Sequence, residues 1–214
     1  MTTILRIDSS SRPAEPAGGA EGSFSRALAD TVVAKLASER PGARIVVRDL
    51  AADPIGPVAD DTIKGYYTPP EAMTPDLRAA TAQSDALIAE LKAADAVVIS
   101  APIYNFAVPS ALKAWIDQIV RIGHTFSYED GQFGGLVADK PTYLVLSYGA
   151  PGYAPGGPLE SYDFLRPYLV SLMRFIGLTS VEVVAVEGTT APDAAERLAA
   201  AKADVGARLT SAAA

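Results

Sequence analysis

Residues 96–106 read AVVISAPIYNF. Ala96, Val97, Val98 and Ile99 are apolar in series, mostly β-branched, with no polar alternation. That pattern predicts a short strand buried on both faces, as in a parallel sheet. Pro102 ends the ladder because it has no N–H to donate. Ile103, Tyr104, Asn105 and Phe106 then stand at the strand's carboxyl end, and helical spacing resumes at Ser110. Open α/β sheets bind ligands at that end of their strands. A flat ligand needs an aromatic or apolar wall, and its heteroatom edge needs amides; this loop supplies both. The plainer reading is a tight connection with a packed Phe and a turn Asn.

Outward from this strand the chain alternates. Upstream, residues 3–7 and 43–48 are short apolar runs; downstream, residues 141–147 and 181–186 repeat the pattern. Helical stripes separate them. Phe24, Ala27, Leu28, Val32 and Leu36 follow Ser23. Leu77, Ala80, Leu87, Ile88 and Leu91, interrupted once by Ser84, predict a helix over 75–94. Leu112, Trp115, Ile116, Ile119 and Ile122 predict one over 110–122. Leu165, Leu169, Leu172, Met173 and Ile176 predict one over 159–176 despite Pro167, and an Ala-rich helix runs on from Pro192. Residues 49–75, holding Pro54, Pro57, Pro69 and Pro70, read as a long polar connection of little regular structure, and EDGQFGG (129–135) as a turn. Five strands alternating with helices predict one α/β domain over residues 1–214. Its core is a doubly wound five-stranded parallel sheet of flavodoxin-like order, with helices on both faces.

Composition removes several functions. The net charge is −7, which argues against a nucleic-acid backbone as partner. There is no cysteine, so disulfide and thiolate chemistry are excluded, and one histidine, His124, cannot make a multi-histidine metal site. No metal is expected. No apolar run approaches the roughly 20 residues that span a bilayer. MTTILRIDSSSR lacks the basic head and apolar stretch of a signal peptide, so a soluble cytoplasmic protein is expected.

Two further stretches suit a ligand. After the first strand come Ser9, Ser10 and Ser11, then a Pro/Gly-rich loop, then Ser23 and Ser25 at a helix start. First-turn N–H groups lack intrahelical partners and the helix dipole favours an anion there, so this is the layout of a phosphate site; a plain N-cap at Ser23 is the alternative. Neither GxGxxG nor GxxxxGK[ST] occurs, leaving dinucleotide and P-loop sites without support. Ser147, Tyr148, Gly149 and Ala150 follow the fourth strand, where small residues let a ligand approach the backbone. Trp115 is expected in the core or a subunit interface, and His124 in a structural turn.

The stretch APIYNFAVPSALKAWIDQIVRIGHTFSYEDG, together with SSSR, RDLAADPI and RFIGLTSVEVVAVEG, resembles the FMN-dependent NADH-azoreductases, flavodoxin-like relatives of the NAD(P)H quinone dehydrogenases. The similarity runs nearly end to end. It implies FMN held by Ser10, by the turn Ser23, Phe24 and Ser25, by Pro102 with the loop Ile103, Tyr104, Asn105 and Phe106, and by Ser147, Tyr148, Gly149 and Ala150. It implies a homodimer in which partner aromatics help to form the substrate pocket, at Tyr128 and Phe175 here. It also implies a ping-pong reaction. A hydride passes from NADH or NADPH to the flavin, and two electrons pass on to a quinone or azo compound; no residue acts as nucleophile. Backbone N–H groups around Asn105, Phe106 and Gly149 would support negative charge on the ring.

Two departures stand out. The family commonly has Ser-Arg-Gly-Gly where this chain has Ser-Tyr-Gly-Ala, so Tyr148 is expected to remove a cation near the flavin's pyrimidine edge and Ala150 to thicken the loop. Residues 12–22 are also longer than is usual. The rival readings are a flavodoxin-type electron carrier, which the acidic charge would suit, and a serine hydrolase, which the absence of GxSxG disfavours. Trp115, Ile119, Ile122, Phe126, Tyr128 and Phe175 are expected to exceed what one chain's core needs, and so to favour a two-fold interface.

Overall fold

A computed structural model describes residues 1–13 and 22–211. The serine-rich approach to the first helix is thus described only at its ends, and residues 14–21 of the long loop lie outside the described residues. In chain order the elements are β1 (Thr3–Asp8), α1 (Phe24–Glu39), β2 (Arg44–Asp49), α2 (Asp60–Tyr67), α3 (Pro75–Ala93), β3 (Ala96–Pro102), α4 (Ser110–Ile119), β4 (Phe126–Glu129), β5 (Gln132–Gly135), β6 (Thr142–Tyr148), α5 (Arg166–Ile176), β7 (Val181–Glu187) and α6 (Ala194–Ser211). Five parallel strands lie in the order β2-β1-β3-β6-β7. This is the doubly wound arrangement, with β1 and β3 adjacent at the point where the winding reverses.

Apolar residues of β3 go to both faces, which is why its run shows no alternation. Val97 and Ile99 pack with Leu87 and Leu91 of α3, Trp115 and Ile119 of α4, and Leu169 and Met173 of α5. Ala96 and Val98 pack with Leu28, Val32 and Leu36 of α1 and Val205 of α6. β1 departs from this pattern: Arg6 and Asp8 are buried beside apolar Ile4, Leu5 and Ile7. Edge strand β2 leaves Ile45 and Val47 exposed between Arg44 and Arg48. Among the described residues no helix is long and apolar enough to cross a membrane.

Four expectations need correction. The connection 49–75 contains helix α2 and a 3-10 turn at Pro70–Ala72. α2 has no apolar stripe to betray it. It docks on α3 through close approach at Gly65, where a Cβ would lie 2.5 Å from Thr81 Cγ2, and on α4 through the Tyr66 hydroxyl, which donates to Gln118 at 2.9 Å. The helix expected over 159–176 begins at Arg166, after a 3-10 turn at Glu160–Tyr162. Pro167 falls in the first turn, where a missing N–H costs nothing. α4 stops at Ile119, short of Ile122. EDGQFGG is part of the β4–β5 hairpin, turned by Asp130 and Gly131 at φ 51° and 79°, the two left-handed residues that a tight Asp-Gly hairpin needs. Gly135 of this hairpin lies against Gly177 at the end of α5, where a Cβ would come 2.4 Å from the Gly177 nitrogen.

Trp115 and Ile119 are both fully buried within the chain's own core. They leave no surplus for a partner, so the argument for an interface loses two of its six residues.

Candidate functional site

The carboxyl ends of β1, β3, β6 and β7 open into a cleft of ≈ 320 Å³. Ser10, Ser23 and Phe24 line one end, Pro102, Ile103 and Tyr104 one wall, and Ser147, Gly149, Thr189 and Thr190 the other, with Arg12 and Gly22 at the mouth.

The serine end is built from three strand ends and a helix start. Ser9 binds the Ser100 carbonyl through both N–H and hydroxyl, at 3.1 and 2.8 Å, which ties the end of β1 to β3. The Ser10 hydroxyl accepts from the Arg12 N–H at 3.2 Å. Ser23 caps α1: its hydroxyl accepts from the Arg26 N–H at 3.3 Å and lies 3.2 Å from that of Ser25. Ser25 is fully buried beneath and does not line the cleft. Beneath this turn lies an ion network. Arg26 binds Asp49 at 2.6 and 2.7 Å, Arg6 binds Asp8 and Asp30, and the Ser100 hydroxyl donates to Asp8 at 2.6 Å. Hydrogen bonding from Arg26 holds the Asp49 carboxyl below its ordinary value against the opposing effect of burial.

The aromatic wall is a tight turn. Tyr104 and Ala107 exchange both backbone hydrogen bonds at 3.0 Å, and Asn105 and Phe106 between them adopt φ 47° and 69°. The Phe106 carbonyl accepts from the Phe164 N–H at 3.0 Å, and its ring lies 5.5 Å from that of Tyr162. The Tyr104 hydroxyl reaches across the cleft mouth to Ser11, 2.9 Å from its hydroxyl. Burial pushes this phenol up, but the hydrogen bonds with Ser11 and Ser10 outweigh it and leave it below the ordinary tyrosine value. Asn105 and Phe106 are exposed on the rim and do not line the cleft itself.

The β6 loop differs from expectation at Tyr148. Its side chain is fully buried, stacked on Tyr153 at 4.9 Å, with its hydroxyl donating to Asp163 at 2.9 Å and the Arg166 guanidinium 5.7 Å over its ring. Burial pushes its phenol well up. The side chain therefore belongs to the core and does not stand at a ligand's edge. Ser147 and Gly149, its neighbours, face the cleft, while Ala150 is exposed away from it. Glu187, at the end of β7, accepts from the N–H groups of Gly152 and Tyr153 at 2.6 and 3.2 Å and pins this loop down.

Tyr128 and Phe175 do not line the cleft. They join Phe126 and Phe133 in an aromatic group between the hairpin and α5, with Phe126–Phe175 centroids 4.9 Å apart and Tyr128–Phe133 4.7 Å. Arg12, Thr189 and Thr190 line the cleft although sequence reasoning did not single them out. The Thr190 hydroxyl donates to the Gly149 carbonyl at 3.0 Å. The signal for both threonines was available: hydroxyl residues just past the carboxyl end of the last parallel strand, after Gly188.

A family model described as a flavodoxin-like fold matches residues 2–209. The chain is 48% identical over 183 residues to an FMN-dependent NADH:quinone oxidoreductase of Xanthobacter autotrophicus, covering 86% of this chain and 85% of that one. It is 42% identical over 193 residues to one of Beijerinckia indica, covering 90% and 91%. An azoreductase structure from Bacillus anthracis superposes with a TM-score of 0.84 at 28% identity, over 96% of this chain and 97% of that one.

Proposed function

The chain belongs to the flavodoxin-like fold family, and from that premise we propose that it is an FMN-dependent oxidoreductase moving two electrons from NADH or NADPH to quinones and aromatic azo compounds. The observation that carries this reading is the chemistry of the cleft. One end offers serine hydroxyls and the start of α1, whose first-turn amides are neutral donors, which suits a single terminal phosphate. The other offers an apolar and aromatic wall, Ile103 and Tyr104, opposite the open backbone at Gly149, which suits a flat ring. Among the described residues no cleft residue is a nucleophile paired with a base, so the reading assigns this chain binding, orientation and exclusion of water. Bound FMN supplies the hydride and electron chemistry. Ser10, Ser23 and the Phe24 and Ser25 amides would hold its phosphate. Pro102, Ile103, Tyr104, Asn105, Phe106, Ser147 and Gly149 would hold its ring, the amides of Asn105, Phe106 and Gly149 stabilising negative charge there.

The same reading includes a ping-pong order, a cytoplasmic location where reduced nicotinamide is supplied, and a homodimer. Support for the dimer is narrower than the sequence suggested. It rests on the hairpin aromatics, of which Tyr128 is 54% and Phe133 64% exposed.

The test is to release the flavin from purified protein by heat, identify it by chromatography, and assay NADH oxidation with a quinone. FMN with turnover by the protein alone is expected, with parallel double-reciprocal lines. FAD as the main flavin would overturn the cofactor assignment, and FMN without NADH oxidation would favour an electron carrier.

A further inference from the structure

Arg26 lies in the first turn of α1, where a cation opposes the helix dipole, and its side chain is only 7% exposed. Its partners explain the placement. Nη1 and Nη2 hold the two carboxylate oxygens of Asp49 at 2.6 and 2.7 Å, Asp8 lies 3.6 Å from Nη1, and Nη2 also donates to the backbone carbonyl of Ser10 at 2.7 Å. One guanidinium thus joins the carboxyl ends of β1 and β2 to α1.

The bond to the Ser10 carbonyl has a directional effect. A trans peptide points its C=O and N–H to opposite sides. With the Ser10 oxygen held down on Arg26, the N–H of Ser11 points the other way, and it does so toward the Tyr104 hydroxyl, 3.4 Å distant. The peptide between Ser10 and Ser11 is therefore clamped from below by Arg26 and from above by Tyr104. The clamp turns the Ser10 carbonyl oxygen, which would repel an anion, onto Arg26, while Ser10 and Ser23 line that end of the cleft. Charge alone does not account for Arg26, because Asp49 and Asp8 neutralise it locally.

We propose that Arg26, locked by Asp49, is a positioning residue that orients the Ser10–Ser11 peptide for a phosphate and so makes the site prefer phosphorylated flavin over the unphosphorylated ring. The proposal rests on the reading that the serine end seats the phosphate of FMN.

Flavin is stripped from the full-length protein, and the protein is titrated with FMN and with riboflavin by flavin fluorescence. Arg26→Lys keeps the charge but not the two-pronged geometry. Asp49→Asn keeps the guanidinium but releases it. Each is expected to weaken FMN by about ten-fold, the scale of one well-formed charge-assisted bond, while moving riboflavin by less than about two-fold. Asp30→Asn, which loosens Arg6 in the same network but touches no turn residue, should change neither affinity. Equal losses for FMN and riboflavin would reduce Arg26 to a structural residue and overturn the proposal, as would no loss in either variant. If one variant fails to fold by far-ultraviolet circular dichroism, the other decides. Wild-type protein that binds both flavins equally would overturn the phosphate seat and this proposal together. A wild-type preference for FMN that survives both substitutions overturns the proposal alone.

Discussion

Phe106 occupies a conformation that side chains with a Cβ avoid. At φ 69° it is the second left-handed residue of a two-residue turn, a position where glycine is the usual occupant. The Phe164 N–H on its carbonyl and the Tyr162 ring beside it hold it there. Phe106→Gly should therefore be more stable than Phe106→Ala by about 1 kcal/mol, since alanine keeps the conformational cost and glycine does not; urea denaturation measures the difference. Asn105 tolerates its φ of 47° better than most residues. Asn105→Ala should weaken FMN by about 1 kcal/mol, the scale of one hydrogen bond to the ring, and unchanged affinity with unchanged turnover would make it a turn residue only. Tyr148→Phe strips a donor from buried Asp163. It should cost about 1–3 kcal/mol of stability while leaving the KM for NADH as it was; a raised KM with unchanged melting temperature would return Tyr148 to the cleft.

The β4–β5 hairpin is held against the end of α5, and the loop after β6 is held by Glu187 at the end of β7. Gly135→Ala would drive a Cβ into the Gly177 backbone, and the overpacking should cost about 1–3 kcal/mol in a thermal melt. How far such elements can be read from sequence depends on where their stabilising contacts lie. β3 and β6 were legible because burial on both faces demands a continuous run such as Ala96–Ile99 or Tyr143–Leu146. The cleft was legible where residues sit directly at strand ends, as Ser10, Ile103, Tyr104, Ser147 and Gly149 do. α2 was not, because it packs by the absence of a side chain at Gly65. The hairpin was not, because FSYE and QFGG are too short to show alternation, although Asp130–Gly131 carried the turn signal. Tyr148 was misread because its partners, Tyr153 and Asp163, come from a loop that folds back over it. Thr189 and Thr190 were passed over because they lie beyond the Gly188 turn.

For the whole molecule, two bulk measurements are informative. Light scattering of the flavin-bound protein should give twice the 22.2 kDa chain mass, with Phe133→Ser shifting it toward the single chain; a monomeric active species would refute the shared site. Stability should depend on pH through Asp49, whose folded pKa lies below the ordinary 3.8 because Arg26 hydrogen-bonds it. A depressed carboxyl contributes stability that is fully present above the unfolded value and is lost as pH falls through the folded one. The difference between wild type and Asp49→Asn should therefore be constant above about pH 5 and shrink below about pH 4, and a difference unchanged down to pH 2 would remove the ion pair from the account.

The position of β1 has a consequence for the order in which the protein is made. β1 is made before both of its neighbours, β2 on one side and β3 on the other, and β3 begins only at Ala96. From the appearance of β2 until then, nearly 50 further residues must be added. At about 5–20 residues per second, the inner rim of β1 stays unpaired for roughly 2–9 s, its backbone N–H and C=O groups open on the side that β3 will fill. Arg6 and Asp8, unusual within so central a strand, put charge on one face of the waiting strand. Nascent chains halted before residue 96 should bind a holdase, and chains extended far enough past residue 148 for β6 to leave the ribosome, so that four strands of the sheet can close, should release it.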